Sequence, residues 1–230
     1  TQGETIEFID ARQTLEPVNF NFTGNLRPLQ IEAVESCLKK DFGLLESPTG
    51  SGKTTMALYM IAQRRQPALI VVHTKELLNQ WMDRIGQFLN IPESEIGIIG
   101  SGKFKIGEKI TVAMIQTLHK KADQVADHIG NVIVDECHRC PSRTFTQALT
   151  AFSAKFMTGL TATVWRRDKL SNVIFWHVGD VTGRIDKQNL LASGNLCDAQ
   201  VRWLETAFNT QTDTSDYYSQ VLSELTEDYP

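Results

Sequence analysis

Two short runs hold most of the residues in this sequence that could do chemistry. The first is Ser47-Pro48-Thr49-Gly50-Ser51-Gly52-Lys53-Thr54-Thr55. It follows an apolar stretch and opens a helical pattern, the setting in which a glycine-rich loop cradles phosphate. Gly50 and Gly52 let the backbone turn so that successive amides converge on phosphate oxygens. The start of the helix adds the positive end of its dipole. In such a loop Lys53 reaches the β and γ phosphates of a nucleotide, and the Thr54 hydroxyl binds Mg2+. The strict pattern G-x-x-x-x-G-K-[ST] begins with glycine, whereas position 47 here is serine.

The second run, Asn131-Val132-Ile133-Val134-Asp135-Glu136-Cys137-His138, is an apolar stretch ending in two carboxylates about 80 residues after the loop. Asp135 is suited to hold Mg2+ and Glu136 to polarise an attacking water. Acidic residues at the carboxyl end of a strand sit where open α/β sheets bind ligands. Cys137-His138-Arg139-Cys140 has the spacing of half a zinc site. A structural zinc needs four ligands, and Cys37 and Cys197 are isolated, so His138 is assigned to the nucleotide site instead. A second Gly-Ser-Gly-Lys, at Gly100–Lys103, is followed by Phe104 rather than a hydroxyl, and by no helical pattern. It reads as a loop between strands.

The elements that must position these runs alternate along the chain. Leu44–Glu46, Ala68–Thr74, Ile96–Ile99, Lys109–Gln116, Asn131–Asp135 and Lys155–Leu160 read as strands, several apolar throughout, as strands covered on both faces should be. Thr54–Arg65, Lys75–Leu89, Leu118–Ile129 and Thr144–Phe152 read as helices. This alternation predicts an α/β domain with a mostly parallel sheet and helices on both faces. A further strand is expected at Thr5–Ala11, a polar linker at Asn209–Ser215 and a helix at Asp216–Glu227.

Composition sets outer bounds. In 230 residues, 41% are hydrophobic and 22% charged, near globular averages. No apolar run approaches the roughly 18 residues of a membrane span. Four cysteines are too few for a disulfide scaffold. The net charge of −4 argues against a simple basic nucleic-acid binder, but the charge is uneven. Residues 203–230 hold six acids and no Lys or Arg, and residues 1–24 hold four acids and one Arg. Removing both from the totals of 23 basic and 27 acidic residues leaves residues 25–202 with 22 and 17, net +5. That balance permits a polyanionic partner.

With these runs placed, the order of segments resembles the first RecA-like domain of superfamily-two helicases of the DExH type. Leu26-Arg27-Pro28-Leu29-Gln30 resembles the adenine-recognition segment, with Gln30 and Arg27 at the base. Ser47–Thr54 resembles motif I, Val71–Leu77 motif Ia, Ile115-Gln116-Thr117-Leu118 the later strand-binding motif, Asp135–His138 motif II and Gly159-Leu160-Thr161-Ala162-Thr163 motif III. Within the superfamily the chain is most similar to xeroderma pigmentosum group B-like DNA repair helicases and restriction-enzyme helicase subunits. That subgroup often carries Arg-Glu-Asp after motif III, where this chain has Arg166-Arg167-Asp168. The resemblance implies a catalytic set of Lys53, Asp135, Glu136 and His138. It implies ATP binding by Arg27, Gln30, Thr49, Gly50, Ser51, Gly52, Lys53, Thr54 and Thr55, and a metal held by Thr54 and Asp135. Thr161 and Thr163 would couple γ-phosphate loss to the nucleic-acid face, where Thr74, Lys75 and Thr117 would contact strand phosphates. Thr74 and Thr117 could equally serve as N-caps of the helices that follow.

The expected organisation is a lead-in over 1–24, a RecA-like domain over 25–208, and a linker with the start of a second domain over 209–230. The chain, which begins at Thr1, is then a fragment or an incomplete motor, because such motors need arginines from a second RecA-like domain. The expected function is ATP- and Mg2+-dependent DNA translocation or duplex opening, with DNA and that second domain as partners and no membrane. The expected location is cytoplasmic, or nuclear in a eukaryote. The competing readings are an RNA-directed DExH ATPase, a P-loop phosphotransferase, and a nucleotide-binding module without turnover. Trp165 and Trp176 are expected to pack in a core or interface rather than to stack on bases.

Overall fold

Apolar strands with no polar face must be covered on both sides, and three of those described below are buried along their whole length. A computed structural model describes residues 9–139, 143–163, 171–194, 196 and 221–223. The chain forms two compact units, Thr1–Leu196 and Cys197–Pro230. In the second, residues 221–223 are helical. Elements of the first run in the order α1 (Pro28–Leu38), β1 (Phe42–Glu46), α2 (Lys53–Arg64), β2 (Ala68–Val72), α3 (Lys75–Leu89), β3 (Gly97–Gly100), β4 (Lys103–Lys105), β5 (Ile110–Met114), α4 (Ile115–Leu118), α5 (Ala122–Ala126), β6 (Asn131–Val134), α6 (Arg143–Leu149), β7 (Phe156–Thr161), α7 (Ser171–Val178), β8 (Val181–Arg184) and α8 (Lys187–Ala192). They build one eight-stranded sheet, β4-β3-β5-β2-β6-β7-β1-β8. Every pairing is parallel except the β3–β4 hairpin.

Side-chain alternation divides the core in two. Leu45, Ile70, Val72, Val112, Ile133 and Leu160 bury one face against α1, α2 and α3. Leu44, Leu69, Val71, Ala113, Val132 and Val134 bury the other against the segments after β5. At the amino edge of the sheet, the largely buried Arg64 guanidinium at the end of α2 donates to Thr158 Oγ1 (2.8 Å), Asn131 Oδ1 (3.3 Å) and the Lys40 carbonyl (3.1 Å). It also lies over the Phe156 ring at 4.8 Å. Burial draws its pKa down to about 10.

The six expected strands and the helices after the glycine-rich loop and after β2 are present, with ends shifted by one or two residues. Three expectations change. Residues 9–11 are not a strand; the lead-in instead touches the sheet at Gln13, which bridges Ala154 beside β7. Residues 5–8 lie outside the described residues. Leu118–Ile129 is not one helix. α4 starts earlier, and its last turn tightens to i→i+3 bonds, Lys120 N–H to Thr117 and Lys121 N–H to Leu118, which close it before α5 begins. Trp176 is 78% exposed on α7, so of the two expected places, core or interface, the core does not hold it. Trp165, Arg166–Asp168, the 209–215 linker and all but 221–223 of the last helix lie outside the described residues.

Helix α1 was not expected as a helix. Pro28 sits at its first turn, where a missing N–H costs nothing. It packs on β8 so closely that a Cβ on Gly183 would lie 2.5 Å from the Ala33 carbonyl oxygen and 2.5 Å from Cys37 Sγ. The backbone oxygen cannot give way. Gly183→Ala should therefore destabilise the domain by about 1–3 kcal/mol, read as a lower denaturant midpoint at unchanged m-value. An unchanged midpoint would show that α1 does not lock onto β8.

Candidate nucleotide site at the carboxyl edge of the sheet

The loops leaving the carboxyl ends of β1, β7, β6, β2 and β5 carry the residues singled out in the sequence. After β1, the loop enters α2 through Gly50 (φ 80°) and Gly52 (φ 90°), two left-handed positions that favour glycine. Ser47, where the strict pattern has glycine, does not adopt a positive φ. It is buried, and its Oγ lies 2.5 Å from Ser51 Oγ. Its N–H donates to the Thr161 carbonyl at 2.9 Å. The serine therefore braces the loop from inside. Lys53 Nζ donates to the carbonyls of Ser47 (3.1 Å) and Pro48 (3.4 Å). Thr49 and Gly50 are exposed at the loop tip, and Thr54 and Thr55 are half-buried in the first turn of α2.

Arg27 and Gln30 meet this loop from α1. Arg27 Nη2 and Gln30 Nε2 both donate to the Ser51 carbonyl, at 2.8 Å and 2.7 Å. Gln30 Oε1 accepts the Arg27 N–H at 2.8 Å. Gln30 is 4% exposed, and a Cβ on Gly52 would lie 2.4 Å from its Nε2. Both side chains grip the loop itself.

After β6, Asp135 and Glu136 diverge. Asp135 Oδ1 accepts the Glu136 N–H (2.9 Å) and Oδ2 accepts the Trp81 indole N–H from α3 (2.8 Å). Burial pushes the Asp135 carboxyl above its ordinary pKa; the Trp81 bond opposes this, the charge of Glu136 adds to it, and the Glu136 N–H and Lys53 oppose it again. Among the described residues Asp135 forms no ion pair. With Thr54, Trp81, Gln80 and Arg84 it lines a cleft of about 410 Å3. A largely buried carboxylate beside a threonine hydroxyl suits a small, hard divalent cation with oxygen ligands. Glu136 takes a left-handed backbone (φ 49°). Its Oε2 lies 3.1 Å from His138 Nδ1, which is 3.3 Å from Thr161 Oγ1. The Thr161 hydroxyl donates to the Thr163 carbonyl (2.7 Å) and accepts the Thr163 N–H (3.1 Å). With that hydrogen spent, both of these Nδ1 contacts are satisfied when Nδ1 carries a proton. Cys137 is buried with a free thiol, and Cys140 lies outside the described residues.

After β2 and β5 the grouping is looser. Thr74 caps α3, its Oγ1 accepting the Leu77 N–H at 3.2 Å. Thr117 caps nothing: it is the third residue of α4, whose N-cap is Met114. Gln116 Nε2 donates to the His73 carbonyl at 2.8 Å, tying the two loops together, and Lys75 is exposed beside them. The structure thus brings together the loop, the Asp135–His138 turn and Thr161–Thr163, and separately gathers Thr74, Lys75 and Thr117. Trp81 was not singled out as a site residue; the available signal was a tryptophan on the buried stripe of a helix, whose N–H needs an acceptor.

A parallel sheet with a glycine-rich loop and an acidic strand end side by side on one edge defines a RecA-like P-loop domain. Residues 23–166 match the family described as "Type III restriction enzyme, res subunit", and the chain belongs to it. It is a first RecA-like domain of the superfamily-two helicases. It is 36% identical over 143 residues to a DNA 3'-5' translocase XPB2 of Sulfurisphaera tokodaii, covering 62% of this chain and 32% of that protein. It is 34% identical over 171 residues to the probable helicase D10 of Escherichia phage T5, covering 74% of this chain and 37% of that protein. The chain thus spans about a third of the length of these relatives. The UvsW helicase of bacteriophage T4 shares the fold at TM-score 0.59 and 22% identity, over 74% of this chain and 64% of that one. So does the Hef helicase domain of Pyrococcus furiosus, at 0.61 and 19%, over 73% and 40%. Among the described residues, no helix is long and apolar enough to cross a membrane.

The raised pKa of Asp135 has a signed consequence. A carboxyl that holds its proton more tightly folded than unfolded costs stability once ionised. The cost begins as pH rises past the unfolded value, about 3.9, and is complete above the folded one. In cation-free buffer, Asp135→Asn should therefore gain on the wild type as pH rises through and above the carboxylate range, by denaturant midpoints. A gap independent of pH would remove Asp135 as a buried titrating group.

Proposed function

We propose that this chain is the ATP-binding motor domain of a DNA helicase or translocase. The observation that carries the reading is the Ser47–Thr55 loop beside Asp135–His138, with Thr161 hydrogen-bonded to both. The loop amides and Lys53 bind the phosphates, with Thr49, Gly50, Ser51, Gly52, Thr54 and Thr55 around them. Arg27 and Gln30 hold the loop and stand beside the base. Asp135 and Thr54 hold Mg2+, which when bound neutralises charge on the β and γ phosphates. Glu136 accepts a proton from the attacking water, and the His138 Nδ1–H bond keeps its carboxylate oriented. Loss of the γ phosphate then reaches Thr161 and Thr163 through His138. On the far side Thr74, Lys75 and Thr117 hold one strand by its phosphates, which positions it without reading sequence.

Arginines of a second RecA-like domain would complete the site, as the share of its relatives' length that the chain spans suggests. An arginine finger is worth roughly 10³–10⁵ in rate in P-loop systems, so this chain alone should turn over slowly. DNA is favoured by the translocase relative. One relative, from Acanthamoeba polyphaga mimivirus, is named a putative ATP-dependent RNA helicase and is 31% identical over 169 residues.

ATP hydrolysis by the protein with its second domain, with DNA or RNA added, separates these readings. DNA should stimulate it more than RNA. Lys53→Ala and Glu136→Gln should each lower the stimulated rate by about 10²–10⁴-fold, and Glu136→Gln should leave ATP affinity within a few-fold. Full turnover by Glu136→Gln would remove the general-base role, and stronger stimulation by RNA would reassign the substrate.

A further inference from the structure

Among the described residues Trp81 is the largest fully buried side chain, yet its polar atom is not spent on the helix that carries it. It reaches from the second turn of α3 to Asp135 Oδ2, across 54 positions of sequence, at 2.8 Å. The other carboxylate oxygen is held at 2.9 Å by the Glu136 N–H. A carboxylate gripped at one oxygen can still turn about its Cβ–Cγ bond; one gripped at both cannot. The Glu136 donor is a backbone group that any residue would supply. The Trp81 donor depends on side-chain type, because phenylalanine or leucine would fill the same core without an N–H. Trp81 is wedged among Leu78, Met82 and Ile85 on the buried stripe of α3, so the donor is rigid. The cleft in front of Asp135 is lined by Trp81 and Thr54 together.

We propose that Trp81 is a positioning residue, whose indole N–H fixes the Asp135 carboxylate in the orientation that receives a divalent cation at the nucleotide site. This rests on the reading of Asp135 as a metal-holding residue. Hydrogen-bond partners of metal ligands typically account for 10–100-fold in metal affinity, and Trp81 belongs in that class.

The test is Mn2+ binding in the presence of ADP, followed on the full chain by loss of the free-ion electron paramagnetic resonance signal, which needs no turnover. Trp81→Phe keeps the packing and removes the donor. It should weaken Mn2+ binding about 10-fold or more while ADP binding without metal stays within about 2-fold. Asp135→Asn is the reference. If Asp135→Asn weakens Mn2+ binding and Trp81→Phe does not, Trp81 is core packing only and the proposal is overturned. If Asp135→Asn has no effect, the metal assignment and the proposal fall together. Should Trp81→Phe not fold, the unmodified indole serves. Replacing Trp165, Trp176 and Trp203 by phenylalanine leaves Trp81 as the single indole N–H in a nitrogen-edited proton spectrum. Its resonance should be protected from solvent exchange, shift on Mg2+ with ADP but not on ADP with a chelator, and broaden with Mn2+. A resonance indifferent to the cation would overturn the proposal.

Discussion

The register of three parallel strands governs the rest of this structure. β1, β7 and β6 lie side by side with Glu46 opposite Thr161 and Val134 opposite Gly159. β1 and β7 therefore end level, β6 ends two residues earlier, and the Ser47 N–H, Thr161 carbonyl, Thr161 hydroxyl and His138 ring fall within hydrogen-bond reach in series. Both faces of these strands are buried, so a slip of one residue would exchange the two halves of the core and be rejected by packing. The chemistry at the edge inherits its precision from apolar side chains several residues back. Gly159 shows how tightly: a Cβ there would lie 2.5 Å from Leu44 Cδ2 and 2.9 Å from Cys137 Sγ.

Helix α3 ties the two groups of residues together. Its N-terminus is capped by Thr74, at the loop read as touching nucleic acid, and its second turn holds Trp81 against Asp135. The helix between is rigidly seated, with Leu78, Ile85 and Leu89 buried. Thr74 and Trp81 thus stand on the first two turns of one helix, which joins the β2 loop to the acidic turn by a single continuous element. α1 plays the matching part on the other side, seated on β8 and gripping the Ser51 carbonyl through Arg27 and Gln30.

What could be read from the sequence follows the range of the interactions involved. The loop into α2 was legible because glycines, lysine and helix start are contiguous and their physics is local. So were β2 and β6, whose apolar runs reflect burial on both faces. The edge strands were not. Lys103-Phe104-Lys105 and Val181-Thr182-Gly183-Arg184 carry no apolar run, because an edge strand is half-solvated and needs none. α1 was obscured because Arg27-Pro28-Leu29-Gln30 reads equally as a recognition segment, and only its seat on β8 makes it a helix. The Trp81–Asp135 bond had no local trace. Neither did the bracing of Ser47 by Ser51, which turns an apparent departure from the glycine pattern into an internal hydrogen bond. The N-cap role open to both Thr74 and Thr117 was resolved by where each helix starts, a matter of one to three residues that composition does not set.

The left-handed turn at Glu136 bears on how this domain can change over evolutionary time. A side chain with a Cβ held at φ 49° costs about 1–2 kcal/mol relative to ordinary backbone, and glycine at that position would relieve it. The residue read as the general base therefore sits where folding stability and turnover pull in opposite directions. Selection for thermal robustness alone would drift toward glycine at this position, at the expense of the carboxylate on which the proposed reaction depends.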